Sequence, residues 1–252
     1  MRECAGSCDL LIVGGGVNGC GIARDAAGRG LTVLLCEQDD LAAHTSSAST
    51  KLIHGGLRYL EEFHFRLVRK ALREREVLLN SAPHIMRPLH FVMPHAAHLR
   101  PAWMIRAGLF LYDHLAARAH LAASSSIDLR THVAGEALQP GYRRGFVYSD
   151  GQVDDARLVL LNALDAQARG ATILTHTRCE RLTPQGGGWN ATLSAEGGSF
   201  TVQARAVVNA TGPWVSAFVT QASPVQAAHQ VRLVKGSHVV VPRLFAHRFA
   251  YI

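Results

Sequence analysis

The chain has 252 residues, of which 48% are hydrophobic and 18% charged, and this composition is that of an ordinary globular protein rather than a disordered one. Its formal net charge of +7 favours anionic partners such as nucleic acid, acidic lipid headgroups or phosphorylated metabolites. The sequence contains no zinc finger, RNA-binding motif or basic run with interleaved aromatic residues, so nucleic acid is the weakest of these three and none is expected.

Secreted and membrane-spanning classes are excluded on similar grounds. No apolar segment precedes the first predicted strand, so no signal peptide is expected, and no run reaches the roughly 18 apolar residues that a bilayer span requires. Five scattered cysteines form neither a disulfide framework nor a zinc-ligand pattern, so we expect free thiols in a reducing compartment and no metal site. A soluble or peripheral protein is expected.

The first forty residues predict a strand, a helix and a second strand. An apolar run at 9–13 ends in three glycines, small apolar residues recur at helical spacing over 17–29, and a second apolar run occupies 31–37. Together they predict one βαβ unit of about 30 residues.

The turn between that strand and that helix carries the pattern Gly14-x-Gly16-x-x-Gly19. Glycines at these positions permit the tight turn, let the backbone approach a pyrophosphate and allow the helix to pack on the strand, while the helix N-terminus attracts the phosphates. Glu37 ends the second strand, where an acid accepts hydrogen bonds from ribose hydroxyls and would repel the 2′-phosphate of NADP. The combination favours dinucleotide binding over a chance glycine-rich turn.

The rest of the chain predicts further helices and strands. An amphipathic helix is expected at 65–80, with Leu67, Ala71, Leu72, Leu78 and Leu79 on its apolar face. The other predictions, in chain order, are a strand at 89–93, a helix at 102–119, an irregular insertion at 121–140, regular structure resuming at 145, a helix from 154 or 155 to 168, a hairpin meander at 177–183, 189–195 and 200–204, a buried strand at 206–210, and a strand pair or long strand at 230–241.

Three polar or glycine-rich segments offer ligand contacts, and each has a structural alternative. The segment 45–59 supplies hydroxyls and Gly55-Gly56 for close approach to a flat ligand, but also suits a capped helix start. The Ala-Thr-Gly sequence at 210–212 suits a backbone approach to a cofactor, or a plain strand-to-helix turn. Strand alternation over 232–238 places Arg232, Val234, Gly236 and His238 on one face, which an exposed polar face explains equally well.

Taken together and in order, these motifs resemble the FAD-dependent (aerobic, respiratory) glycerol-3-phosphate dehydrogenase family, as its N-terminal part. The resemblance covers nearly every residue from Asp9 onward and is carried by long strings. They are Gly-Gly-Gly-Val-Asn-Gly at 14–19, Thr-Ser-Ser-Ala-Ser at 45–49, Lys-Leu-Ile-His-Gly-Gly-Leu-Arg-Tyr-Leu at 51–60, Glu-Arg-Glu-Val-Leu-Leu at 74–79, Val-Asp-Asp-Ala-Arg-Leu-Val-Leu at 153–160, Val-Asn-Ala-Thr-Gly-Pro-Trp at 208–214 and Leu-Val-Lys-Gly-Ser-His at 233–238.

The resemblance implies an α/β fold: a glutathione-reductase-type FAD-binding Rossmann fold with an inserted, incomplete substrate domain built on a mixed antiparallel sheet. It implies a discontinuous FAD-binding domain at 1–85 and 145–225, and a substrate domain at 86–144 and 226–252. Because the family is much longer than this chain, the sequence is expected to lack the remainder of the substrate sheet and a helical C-terminal domain.

The implied activity is oxidation of sn-glycerol 3-phosphate to dihydroxyacetone phosphate, by hydride transfer to FAD, with electrons passed to membrane quinone. The implied location is cytoplasmic, peripheral on an acidic membrane surface at the inner face of the cell membrane, with a homodimer in the full-length form. Alternatives left open are an amino-acid-oxidase-like flavoenzyme and an inactive FAD-binding fragment.

Residue roles follow from the matching positions. Arg58 and Tyr59 become candidates to hold the substrate phosphate or shape its pocket, His54 to orient the flavin ring or the substrate hydroxyl, and His238 a weaker catalytic candidate. The residues expected to bind FAD are Gly14, Gly16, Asn18, Gly19, Glu37, Thr45, Ser46, Ser47, Ser49, Gly55, Gly56, Ala210, Thr211 and Gly212.

Overall fold

The computed structural model describes residues 6–226 and 231–252 of the chain. Its elements are, in chain order, β1 (Ser7–Val13), α1 (Val17–Gly28), β2 (Val33–Cys36), β3 (Leu52–Ile53), α2 (Phe65–Ser81), β4 (Met86–His95), α3 (Ala102–His114), β5 (Ser125–Asp128), β6 (Arg144–Val153), α4 (Asp155–Ala168), β7 (Thr172–Leu174), β8 (Thr177–Gln185), β9 (Gly188–Ala195), β10 (Gly198–Asn209), α5 (Val215–Ala222) and β11 (Ala250–Tyr251). Short 3₁₀ helices occupy Leu57–Leu60, Val133–Gly135 and Gly212–Trp214.

The chain divides into two compact units. The first runs through Ser49 and resumes from Asp155 to His238, and the second comprises Thr50–Asp154 and Val239–Ile252. The divisions therefore fall at 49/50, 154/155 and 238/239, rather than at the expected 85/86, 144/145 and 225/226. Residues 50–85 and 145–154 join the second unit because β3 and β6 are strands of its sheet and α2 packs on that sheet.

A six-stranded sheet forms the first unit, in the order β7-β2-β1-β10-β9-β8. Both neighbours of β1 are parallel to it, as the predicted βαβ unit requires. β8, β9 and β10 form the predicted antiparallel meander. The runs at 200–204 and 206–210, predicted as two strands, belong to one: β10 pairs antiparallel with β9 through Ala204 and parallel with β1 from Gln203 to Asn209.

Alternation along the central strands creates two apolar clusters in this unit. Ile12 and Leu35 contribute to one cluster together with buried alanines of α1 and α4. Leu11 and Leu34 point into the other, which contains buried residues of β8, β9 and β10. The positive φ of Gly30 (83°) and of Gly170 (96°) follows α1 and α4, in agreement with the predicted helix ends.

The second unit is built on the sheet β11-β4-β6-β3, with β5 also pairing with β6. β4 and β6 pair antiparallel along ten residues each. Val68 and Leu72 of α2 and Leu109 of α3 pack against Phe146 and neighbouring aromatic rings of the sheet. The region 121–140, predicted as irregular, contains β5 and one 3₁₀ helix, while α3 ends at His114 rather than at 119.

The buried face of α2 differs from the predicted one. Its buried residues are Val68, Leu72, Arg75, Glu76 and Leu79. Leu67, expected in the core, is 52% exposed. The buried face therefore includes charged residues that the predicted apolar face did not. Arg75 and Glu76 can be buried because Arg75 pairs with Asp150 and Glu76 accepts a hydrogen bond from the Ala119 amide.

The segment predicted as a strand at 230–241 is not one. Gln230 lies outside the described residues, and residues 231–241 form no strand and pair with no strand of the described chain. Val234 and Val240 are 84% and 97% exposed, so the expected shared strand face of Arg232, Val234, Gly236 and His238 is wrong. Alternating apolar residues form a strand only where a sheet edge is available for pairing.

No helix in the part of the chain that the structure describes combines the length and the hydropathy needed to cross a bilayer.

Candidate functional site

A cavity of about 460 Å³ lies within the first unit, at the carboxyl ends of the parallel strands. Val13 and Cys36 line it at the ends of β1 and β2, and Ala210 follows the end of β10. Ligands of doubly wound sheets bind at this edge, and a volume of several hundred Å³ suits a cofactor.

The glycines of the first turn have the geometry that the motif predicts. Gly14 has φ +115°, and a Cβ atom on it would lie 2.5 Å from the carbonyl oxygen of Ala210. A Cβ atom on Gly19 would lie 1.9 Å from the carbonyl oxygen of Gly14, so helix α1 could not pack this closely with any other residue there. Gly14, Gly16 and Asn18 line the cavity, whereas Gly19 serves the packing of the turn.

Glu37 stands at the cavity wall and is 9% exposed. Its Oε2 accepts a hydrogen bond from the Gly15 amide at 2.6 Å, and its Oε1 accepts one from the Asp39 amide at 2.9 Å. The carboxylate therefore fixes the glycine turn as well as offering remaining lone pairs to a ribose.

In the hydroxyl-rich segment 45–49, some side chains line the cavity and others form hydrogen bonds within the protein. Thr45 and Ser46 line the cavity, and Ser46 Oγ accepts a hydrogen bond from the amide of Val17 at 2.9 Å, at the N-terminus of α1. Ser47 Oγ donates to the carbonyl of His44, and Ser49 Oγ donates to Asp155 at 2.7 Å. Neither Ser47 nor Ser49 lines the cavity.

The segment after β10 forms another wall. Ala210, Thr211 and Gly212 all line the cavity. The Ala210 amide donates to the carbonyl of Val13 at 2.8 Å, and Asn209 Oδ1 accepts from the Thr211 amide and hydroxyl. These bonds hold Ala210 against Gly14, where a side chain on Gly14 would clash.

His44 is a cavity residue that the sequence motifs did not reveal. Its Nε2 lies 2.8 Å from Asp39 Oδ2, and its ring meets the ring of Trp214 edge-on at 4.8 Å between centroids. The sequence offered one signal, since His44 directly precedes the hydroxyl run. Ligand atoms of Glu37, Asp39 and His44 lie within 4.8 Å of one another, but backbone amides and the Asp39–His44 pair already use them, so we interpret the group as a hydrogen-bonded cluster.

The predicted substrate residues of the second unit lie on one turn. His54, Arg58 and Tyr59 are exposed, and Gly55 and Gly56 are buried. His54 Nδ1 accepts the Gly56 amide at 3.0 Å, so the proton of the neutral ring lies on Nε2, which can donate to a ligand. Arg58 makes no ion pair with any residue in the described ranges.

Gly55 and Gly56 are required by the protein itself. A Cβ atom on Gly55 would lie 2.4 Å from Leu72 Cδ2 and 2.7 Å from Tyr112 Oη, and Gly56 has φ +71°. Their lack of side chains therefore has an explanation in packing and backbone conformation that does not involve a ligand. His238 is exposed on the irregular segment 231–241, and no described geometry brings it to a site.

The described cysteines are buried and free. Burial raises the pKa of Cys20 to about 11 and that of Cys179 to about 12, and it also raises the pKa of Cys8 and Cys36. Thiols with raised pKa values are poor nucleophiles, so these cysteines serve the core. Cys4 lies outside the described residues.

The cavity fits the ADP part of a dinucleotide. Its wall contains the N-terminus of α1, a glycine that leaves room for backbone approach and an acid at the end of β2. The arrangement can bind a pyrophosphate and a ribose without any further charged side chain.

Sequence comparisons agree with this geometry. Residues 9–251 match the sequence profile of a family described as FAD dependent oxidoreductase (DAO). The glycerol-3-phosphate dehydrogenase of Pseudomonas aeruginosa is 57% identical over 245 residues, covering 97% of this chain and 47% of that protein. The D-erythritol 1-phosphate dehydrogenase of Brucella abortus is 52% identical over 248 residues (98% and 49%), and the aerobic glycerol-3-phosphate dehydrogenase of Escherichia coli 53% over 248 residues (97% and 48%). The chain spans about half the length of the curated relatives it matches.

Solved structures confirm the predicted fold class. The glycerol-3-phosphate dehydrogenase of Bacillus halodurans, in complex with FAD, superposes with a TM-score of 0.64 at 28% identity, covering 87% of this chain and 37% of that one. The glycine oxidase of Geobacillus kaustophilus superposes with a TM-score of 0.64 at 22% identity, covering 85% and 58%. The second likeness shows the fold alone, so the fold does not separate the two activities.

Proposed function

Because the chain belongs to the family of FAD-dependent oxidoreductases, we propose that it is the FAD-binding and substrate-contacting part of an enzyme that oxidises sn-glycerol 3-phosphate to dihydroxyacetone phosphate. The observation that carries the proposal is the identity of more than half of its residues with a glycerol-3-phosphate dehydrogenase over 97% of its length. The first unit is the FAD-binding domain and the second unit supplies substrate residues.

The cofactor residues follow from the cavity. Gly14, Gly16, Asn18 and the N-terminus of α1 would hold the pyrophosphate of FAD through backbone amides. Glu37 would accept the ribose hydroxyls, and Thr45, Ser46 and residues 210–212 would contact the rest of the cofactor. Gly19, Ser47 and Ser49 act indirectly, by packing and hydrogen bonds that shape this wall. Bound FAD supplies the two-electron acceptor of the oxidation.

The substrate residues are assigned from the turn in the second unit. Arg58 is exposed and makes no ion pair with a described residue, so its guanidinium can bind a phosphate in two-point geometry. Tyr59 is 45% exposed and adjoins it. His54 donates from Nε2, which suits a hydrogen bond to a substrate oxygen; in this orientation it is not the proton acceptor. Gly55 and Gly56 keep the turn in place, and His238 has no supporting geometry.

A second candidate substrate has a specific observation in its favour. The D-erythritol 1-phosphate dehydrogenase is 52% identical to the chain, almost as similar as the glycerol-3-phosphate dehydrogenases. Both substrates are polyol phosphates, so the phosphate contacts would be shared and the longer polyol would distinguish them. An amino-acid-oxidase activity shares only the fold, and a fragment that binds FAD without turnover remains the outcome if substrate has no effect.

The proposed setting is the cytoplasmic face of the cell membrane. The aerobic enzyme of Escherichia coli is a close relative, and a net charge of +7 suits both an anionic substrate and an acidic lipid surface. Quinone as electron acceptor and homodimerisation of the longer protein are parts of the same proposal.

Phosphate recognition tests the substrate assignment. Arg58→Ala should raise the glycerol 3-phosphate concentration that half-saturates anaerobic reduction of bound FAD by about 10- to 100-fold, because charge-assisted hydrogen bonds are lost. Arg58→Lys should recover part of the loss, and Arg66→Ala, an exposed arginine of α2, serves as the control. Half-saturation at a lower concentration of D-erythritol 1-phosphate than of glycerol 3-phosphate would favour the second candidate. Equal effects of Arg58→Ala and Arg66→Ala would contradict the role of Arg58.

A further inference from the structure

A chain of buried polar groups crosses the core of the second unit. Arg75 of α2 is 1% exposed, and its Nη1 donates to Asp150 Oδ1 of β6 at 2.5 Å. Tyr112 of α3 donates its hydroxyl to the same carboxylate at 2.9 Å. The hydroxyl oxygen of Tyr112 in turn accepts a hydrogen bond from the backbone amide of Gly55 at 2.9 Å. We call Arg75, Asp150 and Tyr112 the buried network.

This network is costly to place in an apolar core. Asp150 is 3% exposed and Tyr112 is 3% exposed, and desolvation raises the pKa of both groups. Replacing a buried ion pair by apolar residues of similar volume often leaves the stability of a domain unchanged or raises it, because the attraction between buried charges is offset by their lost hydration. The network therefore needs an explanation other than stability.

The network ends at the turn that carries the proposed substrate residues. Tyr112 Oη fixes the amide of Gly55, and a Cβ atom on Gly55 would lie 2.7 Å from that oxygen. The next residue, Gly56, has φ +71° and donates its amide to His54 Nδ1. The position of the His54 ring and the start of the 3₁₀ helix Leu57–Leu60 both depend on this turn.

We propose that Arg75, Asp150 and Tyr112 are positioning residues that hold the turn His54–Gly56 in its substrate-binding conformation. The proposal rests on the proposed function, in which His54 and Arg58 contact the substrate. Tyr112 is the direct support, Asp150 orients the Tyr112 hydroxyl, and Arg75 holds the Asp150 carboxyl in place inside the core through its Nη1 hydrogen bond.

Amide hydrogen exchange of the whole chain tests the positioning without any reference to activity. Tyr112→Phe removes one oxygen and leaves the ring in place, so exchange at Gly55 and Gly56 should become at least about tenfold faster. Asp150→Asn should also make exchange at Gly55 and Gly56 faster, but by less, because Asp150 acts through the Tyr112 hydroxyl. Asp113→Asn is the matched control: it alters another buried carboxylate of the same unit, which bonds Ser124 and Arg118 and not the turn.

Flavin reduction tests the consequence for the reaction. Tyr112→Phe should raise the half-saturating glycerol 3-phosphate concentration by about tenfold, and Asp113→Asn should leave it unchanged even if both variants lose similar stability. The proposal is overturned if Gly55 exchanges at the same rate in Tyr112→Phe and in the wild type, or if the two variants have the same half-saturation. If the wild type itself does not respond to the substrate, the proposed function fails, and the exchange rates still decide whether the network holds the turn.

Discussion

The glycine turn of the first unit has no room for one additional carbon atom at Gly19. Gly19→Ala places a Cβ atom 1.9 Å from the Gly14 carbonyl oxygen, so the turn must open, and we expect a loss of about 1–3 kcal/mol in the free energy of unfolding together with weaker FAD binding. Gly21 lies two residues further along the same helix, and a Cβ atom on it would have nothing within 4 Å. Gly21→Ala should stabilise the chain by up to about 1 kcal/mol. Urea unfolding of both variants checks the pair; similar changes in both would contradict the packing argument.

Asp9 gives a residue-level prediction about pH. Hydrogen bonds from the Thr32 amide, then from Arg205 and the Thr32 hydroxyl, lower the pKa of its carboxyl from 3.8 to about 2. Since the folded-state pKa is the lower one, the ionised carboxyl stabilises the fold above pH 3.8, and this contribution is lost as the pH falls toward 2.

An NMR titration of Asp9 in the wild type and in Arg205→Gln measures this directly. The pKa should be about 2 in the wild type and higher in the variant, which removes one charged donor. A wild-type pKa near 3.8 would show that these hydrogen bonds do not form in solution.

At this scale the sequence predicted the geometry of the glycine turn and the place of Glu37 at the end of β2. The glycine spacing and Glu37 are local, so their geometry follows from one strand, one turn and one helix. The network of Arg75, Asp150 and Tyr112 could not be predicted, because its members are 37 to 75 residues apart and meet only in the folded sheet. One signal existed: Arg75 shares a helical face with Leu72 and Leu79, where a charge must find a buried partner.

Helix α2 packs on the second unit through one buried face, and its opposite face is exposed. Leu72 is 1% exposed and packs in the core of the second unit, whereas Leu67 is 52% exposed on the same helix. Leu72→Ala should cost about 2–5 kcal/mol in the free energy of unfolding, and Leu67→Ala less than about 1 kcal/mol. Urea denaturation compares the two, and similar costs would mean that the helix is rotated differently from the described structure.

The limits of element prediction appear in β10 and in the segment 231–241. Both have strand-forming sequences, yet the first merges two predicted strands and the second forms none. β10 extends because β9 and β1 offer edges along successive parts of it. Strand formation depends on the partner, which the local pattern does not contain.

At the scale of the whole molecule, the proposed function assigns FAD binding to the first unit and substrate contacts to the second. The first unit contains the cavity that fits the ADP part of FAD, and the second contains the turn with His54 and Arg58. The family match extends over both, from residue 9 to residue 251. The chain nevertheless spans about half the length of its curated relatives, so its own competence in binding and oxidation is the claim to test.

The most direct measurement is an absorbance spectrum of the purified chain with FAD, followed by anaerobic addition of glycerol 3-phosphate. We predict that the flavin bands shift on binding, and that the substrate then bleaches the bound yellow flavin. A spectrum identical to that of free FAD would contradict the assignment of the cavity, and bound flavin that keeps its colour would contradict the proposed oxidation by this chain.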